Sequence, residues 1–129
     1  MLRESDLPAR VTERATRIFT RLAEAEATVH GTSPEKVHFH EVGAMDAIVD
    51  IVGSCIALEL LDVDTVVTTA FPLGNGTVHC AHGVMPVPVP ATVELLKGFP
   101  TDPSRENTEL VTPTGAAILT TLSSRQPAP

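Results

Sequence analysis

The segment from residue 46 to residue 61 constrains the fold of this chain most, because apolar side chains cover most of its surface at helical spacing. A helix of this kind packs inside a domain. Asp46 and Asp50 lie one turn apart on one face, and a carboxylate on a buried helix needs a cation or hydrogen-bond donors. The segment therefore predicts a buried central helix whose first turns carry two carboxylates that need a cation or hydrogen-bond donors. Its apolar positions are Ile48, Val49, Ile51, Val52, Ile56, Leu58, Leu60 and Leu61.

Two histidines precede this helix, in the run His38-Phe39-His40-Glu41. In an extended segment the two imidazoles project on one side. Imidazole and carboxylate groups this close to Asp46 and Asp50 predict a metal site or a catalytic acid. A simpler alternative is that Asp46 interacts with the helix dipole, Asp50 is solvated and the histidines lie on an edge strand. The candidate metal ligands are His38, His40, Glu41, Asp46 and Asp50, and Glu41 and Asp46 are also candidate catalytic groups.

A second cluster, His79-Cys80-Ala81-His82-Gly83, places two imidazoles and a thiol close together. Imidazole and thiolate suit nickel, copper or zinc, whereas the acids of the first cluster also suit manganese or magnesium. We therefore add His79, Cys80 and His82 to the candidate metal ligands. Two alternatives stay open: the histidines are solvated beside a packed cysteine, or Cys80 is a nucleophile with a histidine as its base.

The sequence Thr112-Pro113-Thr114-Gly115 precedes a last helical segment. Hydroxyl groups and free backbone amides at a helix N-terminus bind phosphate or carboxylate. Thr112, Thr114 and Gly115 are therefore candidate binding residues for the substrate or cofactor. The alternative is an ordinary threonine cap followed by proline in the first turn.

The remaining pattern predicts short elements. A long amphipathic helix starts at Ser5 or Asp6 with Pro8 and ends near His30-Gly31. Residues 64–70 and 77–80 have strand composition, and Gly74-Asn75-Gly76 predicts a hairpin turn. The alternating prolines of residues 85–90 predict an extended surface segment, residues 90–98 a short helix, and residues 101–108 a mobile loop.

Together these elements predict an α/β or α+β fold, in which a small sheet is packed by the buried central helix and flanking amphipathic helices. We expect one domain over residues 1–122 and a disordered tail over residues 123–129. The core must be aliphatic, because the 129 residues include four Phe and no Trp or Tyr.

Composition excludes several classes of function. A net charge of −7 with nine Lys and Arg argues against nucleic acid as a partner. Two cysteines in dissimilar surroundings do not indicate a disulfide framework. We find no leader sequence, and no apolar run reaches the length of a membrane span. The sequence therefore predicts a cytoplasmic protein without a membrane partner.

Three stretches resemble a known family. They are Val37-His-Phe-His-Glu-Val-Gly-Ala-Met-Asp-Ala-Ile-Val-Asp-Ile-Val-Gly53, residues 72–98 with Leu-Gly-Asn-Gly and His-Cys-Ala-His-Gly, and Glu109-Leu-Val-Thr-Pro-Thr-Gly-Ala-Ala117. In this order they resemble the nickel insertion proteins of the LarC family. Those proteins metallate the nickel-pincer cofactor that lactate racemase uses.

The resemblance implies part of a nickel insertion enzyme, a cyclometallase. Its substrate would be pyridinium-3,5-bisthiocarboxylic acid mononucleotide, in which nickel-carbon and nickel-sulfur bonds form. Nickel is the implied metal, and manganese or magnesium is a second expectation. The family also uses CTP, and we expect the CTP site to lie outside this chain.

Family members extend beyond the segments seen here at both ends. We therefore expect a fragment of a larger protein or one piece of a split gene, completed by a missing C-terminal region or a partner chain. Missing strands would leave exposed sheet edges, which could produce a homo-oligomer. Two other functions stay open: a metal-dependent hydrolase and a non-catalytic metal-binding module.

Overall fold

The structure is a computed structural model that describes residues 7–33, 45–80, 83–104 and 106–124, apart from the side chains of Met45, Cys80 and Ser124. The helices are α1 (Ala9–His30), α2 (Met45–Leu60), α3 (Pro90–Leu96) and α4 (Pro113–Leu122). The strands are β1 (Val66–Val67), β2 (Phe71–Leu73), β3 (Thr77–Cys80), β4 (Gly83–Pro86), β5 (Thr101–Pro103) and β6 (Ser123–Ser124). The predicted α/β or α+β class, which combines helices with small sheets, is confirmed.

Helix α1 is the central element, and it packs against α2, α3 and α4. Its buried stripe recurs at helical spacing, so one face is apolar while the other is charged. The helix ends where the sequence predicts, because Gly31 adopts a left-handed conformation with φ of 67°. The amide of Gly31 then donates to Thr28 and that of Thr32 to Ala27, which satisfies the last carbonyl groups. The stripe consists of Val11, Ala15, Ile18, Leu22 and Ala25.

Helix α2 runs antiparallel to α1. The guanidinium of Arg10, in the first turn of α1, donates to the carboxylate of Glu59 at the end of α2 over 2.7 Å. The end of α1 and the start of α2 therefore lie at the opposite end of the molecule.

The burial of α2 differs from the prediction. Ala47, Ile51 and Cys55 are buried, whereas Val49 and Leu60 are 58% and 81% exposed. Because α2 is apolar on every side, its sequence does not identify the face that packs against a neighbouring element. In the structure, neighbouring elements cover α2 along one stripe. Asp46 and Asp50 are also exposed, so their charges need no compensation on the ground of burial.

The strands of the described ranges form three separate pairs. β1 pairs with β6 and β2 with β5, both parallel, whereas β3 and β4 form an antiparallel pair. The prediction of a mobile loop over residues 101–108 is therefore wrong for β5. Ser123 and Ser124, which the sequence assigned to the tail, form β6 beside Val66 and Val67.

The predicted hairpin turn at residues 74–76 is also wrong, because β2 and β3 do not pair in the part of the chain that the structure describes. Instead the amide of Asn75 donates to the carbonyl of Glu106. A Cβ atom at Gly74 would lie 1.7 Å from the carbonyl oxygen of Thr108. Glycine is therefore needed at position 74 for a close approach of two backbone segments.

Among the described helices, none is long and apolar enough to cross a membrane.

Candidate functional site

Several element ends meet at one end of the molecule. The last turns of α1, the middle of α2, the first turns of α3 and α4, and the hairpin of β3 and β4 line two neighbouring cavities. Thr112 and Thr114 line one cavity, and Pro113 between them lines the other. The start of α4 therefore separates the two cavities, and we call this region the site end.

The first cavity is an open cleft of about 510 Å³ between α2 and α4. Asp50 on α2 lines it together with Thr112, Thr114 and Gly115 at the start of α4. The sequence placed these residues in two separate candidate sites, and the structure brings them together. Apolar groups and small residues complete the cleft: Val49, Gly53, Ser54, Ala57 and Ile118.

Thr112 caps α4. Its hydroxyl oxygen accepts from the amide of Gly115 over 3.1 Å, and its carbonyl accepts from the amide of Ala116. Pro113 has no amide proton, so the first turn offers fewer free donors than the sequence suggested. Thr112 is therefore a helix cap, as the alternative interpretation predicted. Thr114 lies in the same first turn, lines the cleft and does not cap the helix. Its backbone amide and hydroxyl are therefore the candidate ligand-binding groups.

The second cavity is smaller, about 250 Å³, and its walls are mostly apolar. His79 lines it, together with three residues to which the sequence pattern assigned no role: Glu26, His30 and Glu109. Burial raises the pKa of the Glu109 carboxyl above its ordinary value. The apolar wall consists of Val29, Val78, Met85, Val89, Pro90, Ala91 and Pro113.

Glu26 and His30 lie four residues apart near the end of α1. The His30 Nε2 atom lies 3.4 Å from a carboxylate oxygen of Glu26. Their spacing in the sequence indicates that the two side chains lie close together, because residues at i and i+4 share a helix face. Glu109 gave no comparable signal, since its place beside the cavity depends on how the loop before α4 packs.

The predicted metal ligands are only partly described. His38, His40, Glu41 and His82 lie outside the described residues, as does the side chain of Cys80. Asp46 is exposed on the first turn of α2, and His79 is exposed on β3. Within the described ranges, no group of three or more His, Cys, Asp or Glu residues could hold a metal ion. A complete ligand set therefore stays a prediction.

Cys55 is a separate case. It is a free, fully buried cysteine on α2, and burial raises the pKa of its thiol. A buried thiol that resists ionisation is a packing group, as its apolar neighbours in the sequence predict.

Comparisons with known proteins agree with one another. The family model described as nickel insertion protein matches residues 1–129. A relative from Geobacter metallireducens, described as a nickel insertion protein, is 58% identical over 123 residues, which cover 95% of this chain and 32% of the relative. One from Syntrophotalea carbinolica, with the same description, is 56% identical over 118 residues, covering 92% and 30%.

A relative from Staphylococcus epidermidis is described as a pyridinium-3,5-bisthiocarboxylic acid mononucleotide nickel insertion protein. It is 53% identical over 118 residues, which cover 92% of this chain and 30% of the relative. The chain thus spans about 30% of the length of these curated relatives. No solved structure matches it.

Proposed function

Because the chain belongs to the nickel insertion protein family, we propose that it forms part of an enzyme that inserts nickel into a pyridinium mononucleotide. The observation that supports this proposal is the convergence of Asp50, His79 and the start of α4 on the site end. Nickel is the substrate metal, and the pyridinium-3,5-bisthiocarboxylic acid mononucleotide of the Staphylococcus relative is the organic substrate.

Chain connectivity supports a contribution from both predicted metal clusters. Residue 33 follows α1 and residue 45 begins α2, and both anchors belong to the site end. Cys80 and Gly83 are paired across the hairpin beside the second cavity, and His82 adjoins them in sequence. We propose His38, His40, Glu41, Asp46, Asp50, His79, Cys80 and His82 as the residues from which the nickel ligands are drawn.

Each cavity suits a different part of the substrate. The open cleft has a helix N-terminus and the hydroxyl of Thr114, groups that bind a phosphate, and the Asp50 carboxylate can accept from a ribose hydroxyl. The second cavity, at about 250 Å³, lies below the roughly 300–1,000 Å³ of pockets that enclose drug-sized ligands. It has room for a ring rather than a whole mononucleotide, and its carboxylates Glu26 and Glu109 suit the positive charge of a pyridinium.

Metallation of a ring carbon replaces a carbon-hydrogen bond with a carbon-nickel bond, and a base must take the proton that leaves. Glu41 and Asp46 are the candidates from the sequence. Glu109 joins them, because a carboxylate whose pKa is raised by burial is a stronger base than a solvated one. The proton moves to the carboxylate as the nickel ion takes up the ring carbon and the thiocarboxylate sulfurs.

We further propose that the metal-binding acids accept manganese or magnesium as well as nickel, that CTP chemistry resides outside this chain, and that the remaining part of the family protein completes the activity. The chain is assigned to the cytoplasm, where a free thiol such as Cys55 stays reduced.

Calorimetric titration with nickel tests the metal assignment. We expect His38→Ala, His40→Ala and Asp50→Asn each to lower nickel affinity about tenfold or more. Asp62→Asn is the matched control for Asp50, since both are exposed acids on or just after α2 and Asp62 lies at the opposite end. Equal affinities in all four variants and the wild type would refute the assignment. A second assay adds the remaining portions of the Geobacter relative and measures metallation, which the chain alone should not perform.

A further inference from the structure

Large apolar side chains are exposed at the end of the molecule opposite the site end. Leu60 and Leu61, at the end of α2, are 81% and 73% exposed, and Val67 on β1 is 63% exposed. They are close in sequence and flank the loop that joins α2 to β1. Leu60 and Leu61 are consecutive in the chain, and exposed apolar side chains that cluster mark a candidate interaction surface. We call Leu60, Leu61, Val67 and the β1–β6 pair the open end.

Two buried donors contact the α2–β1 loop and the β1–β6 pair. Arg14 is 7% exposed, and its Nη2 atom donates to the carbonyl oxygens of Val63 and Asp64 over 3.1 and 3.4 Å. Its Nη1 atom is buried and has no partner within the described part of the chain. The buried hydroxyl of Ser123 on β6 has none either. Buried polar groups are normally hydrogen-bonded, so these two donors indicate an acceptor that the described residues do not supply.

Within the described ranges, no further strand pairs with β1 or β6 at the open end. β1 and β6 form a parallel pair of two residues each, with Val66 beside Ser123 and Val67 beside Ser124. Parallel strands occur almost only in larger sheets that are covered on both faces. The free edge of such a pair accepts a further strand through main-chain hydrogen bonds, while its exposed side chains determine which strand fits.

Charged groups surround the apolar surface. Arg10 donates to Glu59 and to Asp64 over 2.7 and 2.6 Å. An apolar centre with a paired, solvated rim is the arrangement found in protein interfaces. Arg10 faces two carboxylates, so this rim is mildly acidic, which argues against a strongly acidic segment and leaves the exposed apolar side chains to select an apolar strand.

We propose that the open end receives an extended, apolar strand from the part of the family protein that lies outside these 129 residues. The strand joins the β1–β6 pair, covers Leu60, Leu61 and Val67, and presents main-chain carbonyl oxygens to Arg14 Nη1 and the Ser123 hydroxyl. The length of the relatives supports this occupant, since the matched 123 residues make up 32% of the Geobacter metallireducens protein. The inference does not depend on the metal chemistry of the site end.

A chimera tests the proposal. The 129-residue chain replaces the matched stretch of the Geobacter relative, and Val67→Asp is introduced into the chimera and into the chain alone. In the chain alone Val67 is exposed, so the variant should leave Tm nearly unchanged. In the chimera it should lower Tm clearly, because the aspartate would be buried against the added strand. Val84→Asp is the matched control: Val84 is also a strand valine, 58% exposed, but lies in the β3–β4 hairpin.

Equal, small effects of Val67→Asp in both settings would overturn the proposal. So would a concentration-dependent Tm of the chain alone that Val67→Asp abolishes, because a second copy would then cover the open end. Hydrogen exchange provides a measurement that needs no variant or chimera. In the Geobacter relative, the stretch aligned with residues 60–67 should be protected in the full protein and not in the excised matched stretch, and equal exchange would contradict the proposal.

Discussion

The two ends of the molecule carry polar groups in opposite circumstances. At the site end, Asp50, Thr114 and His79 line cavities or lie exposed to solvent. At the open end, Arg14 Nη1 and the Ser123 hydroxyl are buried and find no acceptor among the residues that the structure describes, and Leu60 and Leu61 are exposed. The first arrangement suits a small polar ligand that enters from solvent. The second suits a polypeptide that stays in place, because only a permanent neighbour relieves buried donors.

Helix α1 connects the two ends. Its first turns supply Arg10 and Arg14 to the open end, and its last turns supply Glu26 and His30 to the second cavity. Its 22 residues span about 33 Å, far beyond the Debye length of about 8 Å at physiological salt. Direct electrostatic influence of one end on the other is therefore negligible, and any coupling must pass through packing. The following variants separate the shared core from each end.

The largest effect is expected from the core that the two ends share. Ile18, in the middle of α1, is fully buried, and Ile18→Ala should lower the free energy of unfolding by about 2–5 kcal/mol. Urea unfolding followed by circular dichroism measures this loss, and hydrogen exchange should show both ends opening together. The control is Val93→Ala on α3, whose side chain is 48% exposed, with an expected change within about 0.5 kcal/mol. If the amides at one end stayed protected from hydrogen exchange in Ile18→Ala, the two ends would be independent folding units.

A pair of glycine variants acts on the loop before Glu109 and on the cleft beside Asp50. Gly74→Ala would push a Cβ into the Thr108 carbonyl and displace the loop that leads to Glu109, at a cost of about 1–3 kcal/mol. Gly53, on the exposed side of α2, has no atom within 4 Å of such a Cβ. Gly53→Ala should therefore stabilise the helix by about 0.5–1 kcal/mol while narrowing the cleft beside Asp50. Thermal unfolding measures the stability of both variants. If Gly53→Ala lowered Tm, the added methyl group would collide with other atoms, and the cleft beside Gly53 would not be open.

These glycines show what a sequence can and cannot predict. The end of α1 at Gly31 and the starts of α3 and α4 at Pro90 and Pro113 were readable, because cap and proline signals are local. The pairing of β2 with β5 was not, since it depends on a backbone contact of Gly74 with Thr108 that no neighbouring residue announces.

The candidate site was likewise predictable from the sequence only in part. The motifs around Asp50, His79 and Thr112 were identified one by one from their residue types. That Asp50 shares a cleft with Thr112, and His79 a cavity with His30 and Glu109, follows from helix packing. An apolar helix such as α2 also does not reveal which of its sides faces the core, so the exposure of Leu60 could not be predicted.

A smaller effect is expected at the helix cap that lines the cleft. Thr112→Ala removes the acceptor of the Gly115 amide and should cost about 1 kcal/mol, whereas Thr112→Ser keeps it. Unfolding in urea measures the difference between these two variants. If Thr112 serves as a cap alone, Thr112→Ser should retain full binding of the pyridinium mononucleotide. A loss of binding in Thr112→Ser at unchanged stability would mean that the threonine methyl group contacts the ligand.

The smallest effect concerns two carboxyl groups, one at each end, whose pKa values shift in opposite directions. The hydrogen bond from Arg10 lowers the pKa of Asp64 below its ordinary 3.8, so the charged form stabilises the fold above that pH. This contribution is lost as the pH falls through the lowered pKa. Burial raises the pKa of Glu109 above its ordinary 4.5, so its charged form opposes folding. That penalty is relieved as the pH falls through the raised pKa toward 4.5.

Urea unfolding of Asp64→Asn and Glu109→Gln between pH 3 and 7 separates these contributions. At pH 7 we expect Asp64→Asn to be slightly less stable than the wild type, and Glu109→Gln to be slightly more stable. The advantage of Glu109→Gln should shrink as the pH falls through the raised pKa, because the wild-type carboxyl then becomes protonated in the folded protein. A Glu109→Gln variant less stable than the wild type at pH 7 would show that the charged carboxylate has a cationic partner in the second cavity. Glu109 would then be an ion-pairing group at the site end, and its proposed role as the proton acceptor would fail.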